Sequence, residues 1–252
     1  MNIFVTNTLT SSQYNDAREL VGKCCLKDGT RGVSFLEPEL NFDETFPCFY
    51  MMYEGDTLVS FLSVFMADEK QCEAYGNTLP EYRNKGYFKR LWKEALTHIQ
   101  EWGIENVFFV NEPESVSGQA VLKELGAVYD RTEYLMSYDM SIKPQPAGKL
   151  EITYSKNDNT EIYGTYIGNT PIGSCKVEFT RTHAVIYDFQ ILPEHRGNGY
   201  GTEMLLMILK HLTEEEVSKI LLHVSGANTA AHAMYSHHGF VSEEQLDYYH
   251  GR

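Results

Sequence analysis

The feature that most constrains this chain is an internal repeat. A shift of 113 residues aligns residues 49–127 with residues 162–240 without a gap and gives 16 identities in 79 positions. Six of these identities lie within nine positions, in the segments LPEYRNKGY (79–87) and LPEHRGNGY (192–200). Clustering of this kind indicates a tandem duplication of one fold. Both halves of the chain are therefore expected to fold in the same way.

Apolar periodicity and turn residues predict the order β-β-β-α-β-α in each copy. In the second copy, the first three strands are Tyr163–Ile167, Ile172–Phe179 and, after a turn at Arg181-Thr182, His183–Leu192. A helix then runs from the glycine segment to about His211. It is followed by a strand at Lys219–Val224 and by a helix at Asn228–His238 that ends at Gly239. The first-copy strands are Phe49–Tyr53, Thr57–Met66 and Gln71–Leu79. An extra helix precedes them, with Ser12 as N-cap and with Tyr14, Ala17, Val21, Cys24 and Cys25 at helical spacing.

A short segment rich in proline, Lys143–Gly148, separates the two copies. Its prolines resist helix and interior strand, so the segment is predicted to be a linker. The predicted division is a first domain at 1–142, the linker at 143–148 and a second domain at 149–252.

Composition excludes several classes of protein. A net charge of −14 argues against a basic surface for nucleic acid, and fits either steering of a cationic amine or solubility alone. No apolar run reaches the length of a membrane-spanning helix, and the first residues lack a signal-peptide pattern, so neither membrane association nor secretion is expected. Five cysteines without metal-ligand spacing predict free thiols, no metal site and a cytoplasmic location.

The segment LPEHRGNGYGTEM (192–204) joins a predicted strand to a predicted helix, where backbone N–H groups favour an anion. A P-loop needs a lysine after Gly201, where Thr202 stands. The dinucleotide fingerprint needs a glycine at position 202 or 204, and the preceding strands are predicted to be antiparallel. The remaining pattern, Arg-x-x-Gly-x-Gly/Ala, is met by Arg196, Gly199 and Gly201.

A second motif follows at Leu222, Val224, Asn228, Ala231, Tyr235, Gly239 and Phe240. With the loop, it resembles the GCN5-related N-acetyltransferases (GNAT). The resemblance covers Tyr163–Phe240 and, through the repeat, Phe49–Ala127, and it points to the subgroup in which two such folds are fused. It implies an α/β fold of mixed α+β character: two tandem acyl-CoA N-acyltransferase folds, each a mostly antiparallel mixed sheet flanked by helices.

The resemblance also implies acetyl-coenzyme A as co-substrate, with its pyrophosphate on the glycine loop. The matching cofactor positions are Gln190, Ile191, Leu192, Arg196, Gly197, Asn198, Gly199, Tyr200, Gly201, Thr202, Asn228 and Tyr235. Gln190–Leu192 would offer a backbone N–H to the thioester oxygen, and Tyr235 would protonate the leaving thiolate. Simpler alternatives are that Asn228 caps its helix and that Tyr235 packs under the sheet.

The general base is not identified. The family often places a glutamate eleven residues before the loop arginine, where this chain has Val185. The departure implies a different base, a water relay or an amine that arrives neutral. The nearby titratable candidates are Asp188, which we take as the catalytic candidate, and Glu178, His183 and His223.

The first copy departs from the pattern. Asn84, Phe88, Ser115 and Leu122 stand at the repeat positions of Gly197, Gly201, Asn228 and Tyr235. Phe88 would put bulk where phosphate approaches, and the carboxylates of Asn111–Glu114 would repel phosphate. The first copy is therefore expected to be degenerate, serving as scaffold or as a wall of the amine site. Because the second copy is short before Tyr163, the first copy or a second subunit of a homodimer is expected to cover its substrate.

The predicted function is an acetyl-CoA-dependent N-acetyltransferase, in which a primary amine of a small molecule, amino acid or peptide attacks directly in a ternary complex in the second copy. The alternative is a non-catalytic acyl-CoA-binding sensor or interaction module. The missing strand glutamate favours the alternative, whereas Tyr235 and Asn228 favour the enzyme.

Overall fold

The structure is a computed structural model that describes residues 3–180, 183–215 and 217–251. In chain order its strands and helices are β1 (Ile3–Thr6), α1 (Ser11–Asp28), β2 (Phe49–Glu54), β3 (Thr57–Met66), β4 (Gln71–Thr78), α2 (Tyr87–Glu101), β5 (Asn106–Asn111), α3 (Val116–Leu125), β6 (Val128–Tyr138), β7 (Glu151–Asn157), β8 (Thr160–Ile167), β9 (Thr170–Phe179), β10 (Ala184–Ile191), α4 (Tyr200–Glu214), β11 (Ile220–Ser225), α5 (Thr229–His237) and β12 (Phe240–His250). The predicted turn at Arg181-Thr182 lies outside the described residues.

Contacts divide the chain into two compact units. Unit 1 is Met1–Thr132 with Leu246–Arg252, and unit 2 is Glu133–Gln245. The strand order in unit 1 is β1-β2-β3-β4-β5 followed by the part of β12 from Leu246 onward, and in unit 2 it is the part of β6 from Glu133 onward followed by β11-β10-β9-β8-β7. Neighbours run antiparallel except for β4 with β5 and β10 with β11, which are parallel. The predicted linker at 143–148 falls inside unit 2, and the predicted division at that linker stays a prediction.

The two copies exchange their last strands. β6 follows α3 of the first copy in the chain, yet it pairs with β11 of unit 2. β12 follows α5 of the second copy, yet its end pairs with β5 of unit 1. The sequence patterns did not predict β1, β6, β7 or β12. β7 is an edge strand with mostly exposed side chains, so the alternation that marks a half-buried strand is weak there.

Helix α1 begins at Ser11, two residues earlier than the predicted N-cap Ser12 implies. Thr10 is its N-cap: the Thr10 hydroxyl accepts from the Gln13 backbone N–H (3.3 Å), and the Gln13 side chain accepts from the Thr10 N–H (2.9 Å). The prediction of Ser12 as N-cap is wrong, because this reciprocal box needs a Glu or Gln three residues on, and Ser12 is followed there by Asn15. Of the residues at helical spacing, Ala17, Val21 and Cys24 are buried, whereas Tyr14 is 37% exposed.

Helix α4 carries the predicted apolar face into the core of unit 2. Its buried side chains include Met204, Leu205, Ile208, Leu209 and Leu212, all at 0% exposure. Burying each side chain of this size contributes on the order of 2 kcal/mol. The helix continues to Glu214, beyond the predicted end near His211. None of the described helices is both long and apolar enough to cross a membrane.

Candidate active site

Strands β10 and β11 separate part-way along their length. Their parallel pairing covers Ala184–Ile186 of β10, although both strands continue beyond it. A β-bulge over Tyr187–Gln190 accompanies the separation, and Asp188 within it has a φ of +48°. The resulting gap opens at the end of β10, where the glycine loop begins.

The alternation of β10 decides which backbone groups face this gap. The Leu192 N–H donates to the Ile172 carbonyl of β9 at 2.8 Å. Because alternate residues of an antiparallel ladder face opposite sides, Gln190 also faces β9, whereas Ile191 and Phe189 face the gap. Within the predicted stretch Gln190–Leu192, Ile191 is therefore the residue that presents its N–H to the gap. Phe189 is a second such residue, which the sequence patterns missed.

Gly197 and Gly199 shape the loop that follows β10. Their φ values of +77° and +79° lie in the left-handed region that side chains rarely adopt. A Cβ added at either position would meet nothing within 4 Å, so the space around these two residues is open. Glycine is needed here for the backbone conformation, and Gly199 directly precedes α4 as its N-cap.

The backbone N–H groups of residues 197–202 line the loop and the start of α4. The first helical hydrogen bond runs from the Glu203 N–H to the Gly199 carbonyl (3.1 Å). Among the described residues, none of the six N–H groups before Glu203 donates a hydrogen bond. The Asn198 amide braces the loop by donating to the carbonyls of His195 (3.2 Å) and Arg196 (3.1 Å). Donors collected at a helix N-terminus form a site for an anion.

Arg196 ties this loop to the end of β10. Its Nε donates to the Ile191 carbonyl at 2.9 Å. No carboxylate of the described residues forms an ion pair with its guanidinium group. An uncompensated guanidinium beside the N–H groups adds to the attraction for a phosphate.

Gly201 lies in the first turn of α4 against the sheet. A Cβ added there would lie 3.5 Å from Met234 Sδ, 3.7 Å from Ile191 Cγ1 and 3.9 Å from Phe189 Cε1. A methyl group would fit, whereas a larger side chain would collide with these neighbours. Glycine at this position therefore lets the helix lie close to the Phe189 ring.

Tyr235 lies on α5 with its side chain 5% exposed. Its ring contacts those of Phe189 (6.1 Å between centroids) and Phe240 (5.6 Å). Burial raises the pKa of Tyr235 to about 12, and Cys175 adds to the shift, so the hydroxyl is protonated at neutral pH. No hydrogen bond of this hydroxyl is formed with the described residues. A protonated phenol of this kind is suited to donate a proton to a thiolate.

The remaining predicted residues have local structural partners. The Asn228 Oδ1 accepts from the Ala231 N–H (3.2 Å), so its role as N-cap is confirmed, while a cofactor contact stays a prediction. The Gln190 amide donates to Ser174 Oγ on β9 (3.0 Å). Tyr200 packs against the core of unit 2.

Unit 1 has the same loop backbone at the repeat positions. Asn84 and Gly86 have φ values of +61° and +78°, and asparagine tolerates this left-handed region. The Arg83 Nε donates to the Thr78 carbonyl at 3.0 Å, as Arg196 does at the end of β10. The shape of the loop is therefore shared by both copies.

The Phe88 ring of unit 1 packs against β4. A Cβ added at Gly76 would lie 2.3 Å from Phe88 Cε2. Gly76 and Phe88 occupy the repeat positions of Phe189 and Gly201, so the ring and the glycine are exchanged between strand and helix. Each unit therefore has one aromatic ring between this strand and this helix, which the helix supplies in unit 1 and the strand supplies in unit 2. The bulk of Phe88 is thus directed at the strand.

Two further first-copy residues also have defined surroundings. Leu122 is buried in the core of unit 1. The Glu112 carboxylate accepts the backbone N–H groups of Arg31 (2.6 Å), Gly32 (2.8 Å) and Val33 (3.3 Å). Among the described residues no cationic side chain pairs with Glu112, so its negative charge is uncompensated beside β5.

A family model described as the acetyltransferase (GNAT) family matches residues 14–127 and, a second time, residues 129–240. The chain belongs to this family. Its two copies are tandem GNAT folds, as the repeat predicted, and enzymes of the family are N-acetyltransferases that generally use acetyl-coenzyme A. No curated relative matches the chain significantly in sequence.

Solved structures share the fold of this tandem acetyltransferase over nearly its whole length. A GCN5-related N-acetyltransferase from Sphaerobacter thermophilus has 13% identity and a TM-score of 0.80, covering 98% of this chain and 95% of that one. A tandem GNAT protein from the clavulanic acid biosynthesis pathway has 14% identity and a TM-score of 0.66, covering 99% and 98%. A GNAT-family acetyltransferase from Colwellia psychrerythraea has 13% identity and a TM-score of 0.55, covering all of both chains.

The four candidate bases of this acetyltransferase lie at different ends of β10. Asp188 lies in the bulge beside the gap, and its carboxylate pairs with Lys176 Nζ at 2.8 Å. His223 lies on β11 directly after the last parallel pair. Glu178 on β9 pairs with Val185 near the start of β10, and His183 directly precedes that strand; at 3.3 Å per residue both are on the order of 25 Å from the loop. Placement therefore favours Asp188 and His223.

Proposed function

We propose that unit 2 binds acetyl-coenzyme A and transfers its acetyl group to a primary amine of a small molecule, amino acid or peptide. The observation that carries the proposal is the row of N–H groups at residues 197–202 beside the unpaired guanidinium of Arg196. A pyrophosphate requires both hydrogen-bond donors and positive charge, and this loop supplies the two together. Unit 1 has the donors, but its loop arginine is paired with Asp28.

The chemistry follows from the groups around the gap. The amine nitrogen attacks the thioester carbonyl carbon directly, and the backbone N–H of Ile191 or Phe189 stabilises the negative charge that develops on oxygen. As the carbon–sulfur bond breaks, the thiolate takes the proton of the Tyr235 hydroxyl. The attacking amine loses its proton to Asp188, which lies in the bulge of β10 beside the gap and whose carboxylate is paired with Lys176 of β9. These roles extend the family's general activity to named residues.

The second candidate is a non-catalytic sensor or interaction module that binds acyl-coenzyme A. It is favoured by Val185, which stands where the family often has a glutamate. Both candidates require that coenzyme A stabilise the protein against thermal unfolding, and absence of that shift would contradict both. Release of free thiol with a library of primary amines is expected of the enzyme alone.

The decisive variant is Tyr235→Phe. Loss of the proton donor is expected to lower the rate of thiol release on the order of 10²-fold, while coenzyme A still raises the melting temperature. Tyr154→Phe, at a 54% exposed tyrosine of the same unit, is the matched control and should keep the wild-type rate. An unchanged rate in Tyr235→Phe would refute its role as general acid.

The remaining parts of the proposal concern partners and location. The wall over the amine site, from the first copy or from a second subunit, stays a prediction, as does the degenerate character of the first copy. A cytoplasmic location is supported by the five cysteines, which are all free thiols.

A further inference from the structure

A second gap lies in unit 1, at the repeat position of the proposed active site. β4 and β5 pair in parallel over Gln71–Ala74 and Asn106–Phe109, and both strands continue beyond this pairing. The gap opens into a cavity of about 770 Å³ between these strands, the loop after β4, and helices α2 and α3. This volume is typical of a small-molecule site.

The charged side chains that line this cavity are paired one to one. Both terminal nitrogens of Arg83 donate to the Asp28 carboxylate, each at 2.7 Å. Lys89 pairs with Glu124 across the two helices. Asp28 is the last residue of α1, which precedes the repeated segment. In unit 2, no carboxylate of the described residues forms a corresponding ion pair with Arg196.

The charge balance opposes a polyanionic ligand. No lining cation of the cavity is left without a carboxylate partner. Glu112, next to the lining residue Asn111, adds a carboxylate that is held by backbone N–H groups and by no described cation. On the other side of the balance, the exposed Lys85 lies over the ring of the lining residue Tyr82 and offsets Glu112. The cavity and its rim therefore present no net positive charge to a diphosphate.

The strand edge and the aromatic walls favour an uncharged amide ligand instead. The Leu79 N–H donates to the Val59 carbonyl of β3 (3.0 Å), so by alternation Gly76 directs its N–H and C=O into the gap. Gly76 lies beyond the last parallel pair, and the rings of Phe88 and Phe109 line the cavity beside it. An extended chain with amide groups can hydrogen-bond to such an edge while its apolar parts contact the rings.

We propose that the cavity of unit 1 binds an uncharged, extended ligand that carries amide groups, and that Asp28 excludes coenzyme A from it by neutralising Arg83. The site consists of unit 1 residues and does not depend on the function proposed for unit 2. Asp28 is thus a specificity residue supplied by α1.

Tryptophan fluorescence reports on this cavity and not on unit 2. The chain has two tryptophans, Trp92 and Trp102, and both belong to α2 or its end in unit 1. Trp92 packs on Phe109, a cavity residue, with 4.6 Å between ring centroids. Tryptophan emission therefore reports the binding of a ligand in unit 1 even when another ligand occupies unit 2.

The probes are pantetheine, an uncharged chain with two amides, and coenzyme A, which adds the nucleotide and its phosphates. Titration of the full chain with pantetheine is expected to give a saturable change in tryptophan emission, with an apparent affinity at least tenfold higher than that for coenzyme A. No response to pantetheine would overturn the site. Equal affinity for coenzyme A would overturn the exclusion.

Three variants localise the effect. Asp28→Asn keeps the shape of the side chain but removes the carboxylate charge that pairs with Arg83. It should raise the affinity for coenzyme A at least tenfold and retain the emission response to pantetheine. An unchanged ratio of the two affinities would overturn the role of Asp28. Val121→Phe fills the cavity from α3 and should abolish the response. Met234→Phe, at the repeat position in unit 2, is the matched control and should leave the emission response intact. A response that survives Val121→Phe and is lost in Met234→Phe would place the ligand in unit 2.

Discussion

The exchange of an aromatic ring between strand and helix can be imposed on unit 2. The double change Phe189→Gly with Gly201→Phe gives unit 2 the arrangement that unit 1 has at Gly76 and Phe88. If the two arrangements are equivalent ways to fill one space, the two substitutions should compensate each other. The quantity measured is the coupling free energy of a double-mutant cycle.

The single changes have different costs. Gly201→Phe places a ring where Met234 and Ile191 already lie within 3.7 Å of a Cβ, which overpacks the site by about 1–3 kcal/mol. Phe189→Gly removes a half-buried ring and adds a flexible residue to β10, which costs about 3 kcal/mol. Independent effects would sum to about 4–6 kcal/mol. Because the new ring refills the space, we expect the double variant to lose about 2–3 kcal/mol, a coupling of about 2–3 kcal/mol.

The assay is urea unfolding followed by circular dichroism, since the tryptophans report on unit 1. The mirror cycle, Gly76→Phe with Phe88→Gly, is followed by tryptophan fluorescence and should also show coupling. Its single variant Gly76→Phe should be the more destabilising overpacked form, because Phe88 Cε2 lies 2.3 Å from the added Cβ. Effects that add within about 0.5 kcal/mol in both cycles would refute the equivalence.

Two further predictions concern stability in unit 2. The folded-state pKa of Tyr235, about 12, lies above the unfolded value of about 10. The contribution of Tyr235 to the free energy of unfolding is therefore complete below about pH 10 and is lost as the pH rises through about 12. Tyr235→Phe should flatten this part of the profile of unfolding free energy against pH, and an unchanged slope would contradict the prediction. Glu203 accepts backbone N–H groups of residues 147–149, with Ala147 at 2.9 Å and Lys149 at 3.1 Å. Glu203→Gln turns an acceptor into a donor facing these N–H groups and should cost about 2–4 kcal/mol in urea unfolding, whereas the exposed control Glu214→Gln should change the free energy by less than about 0.5 kcal/mol.

Local sequence patterns predicted much of the repeated segment. Strand β3 has the predicted bounds, and α5 begins directly after its predicted cap Asn228. These features depend on contacts a few residues apart, such as apolar alternation and a side chain that caps its own helix. The N-cap of α1 was missed for a reason that is equally local, since the reciprocal pairing of Thr10 with Gln13 outweighs a nearby serine.

The candidate site was predictable where it depends on the loop backbone. The glycines at 197 and 199 have the left-handed conformation that their residue type permits, and the N–H groups after them are free of protein partners among the described residues. The role of Gly201 was less accessible, because its neighbours come from β10 and α5. The alignment of the two copies holds the one signal that could have revealed it, the exchange of Gly76 and Phe88 for Phe189 and Gly201.

The sequence by itself determined that the chain contains two copies of one acetyltransferase fold, the order of elements inside each copy, and the loop that suits an anion. These are properties of local pattern and of repetition. The tertiary structure decided that the copies exchange their last strands, since β6 and β12 occupy equivalent repeat positions and no local preference selects β5 or β11 as partner. It also decided which loop arginine is paired with a carboxylate. Helix α1 lies outside the repeat, and only folding brings its Asp28 into an ion pair with Arg83, whereas no carboxylate of the described residues pairs with Arg196.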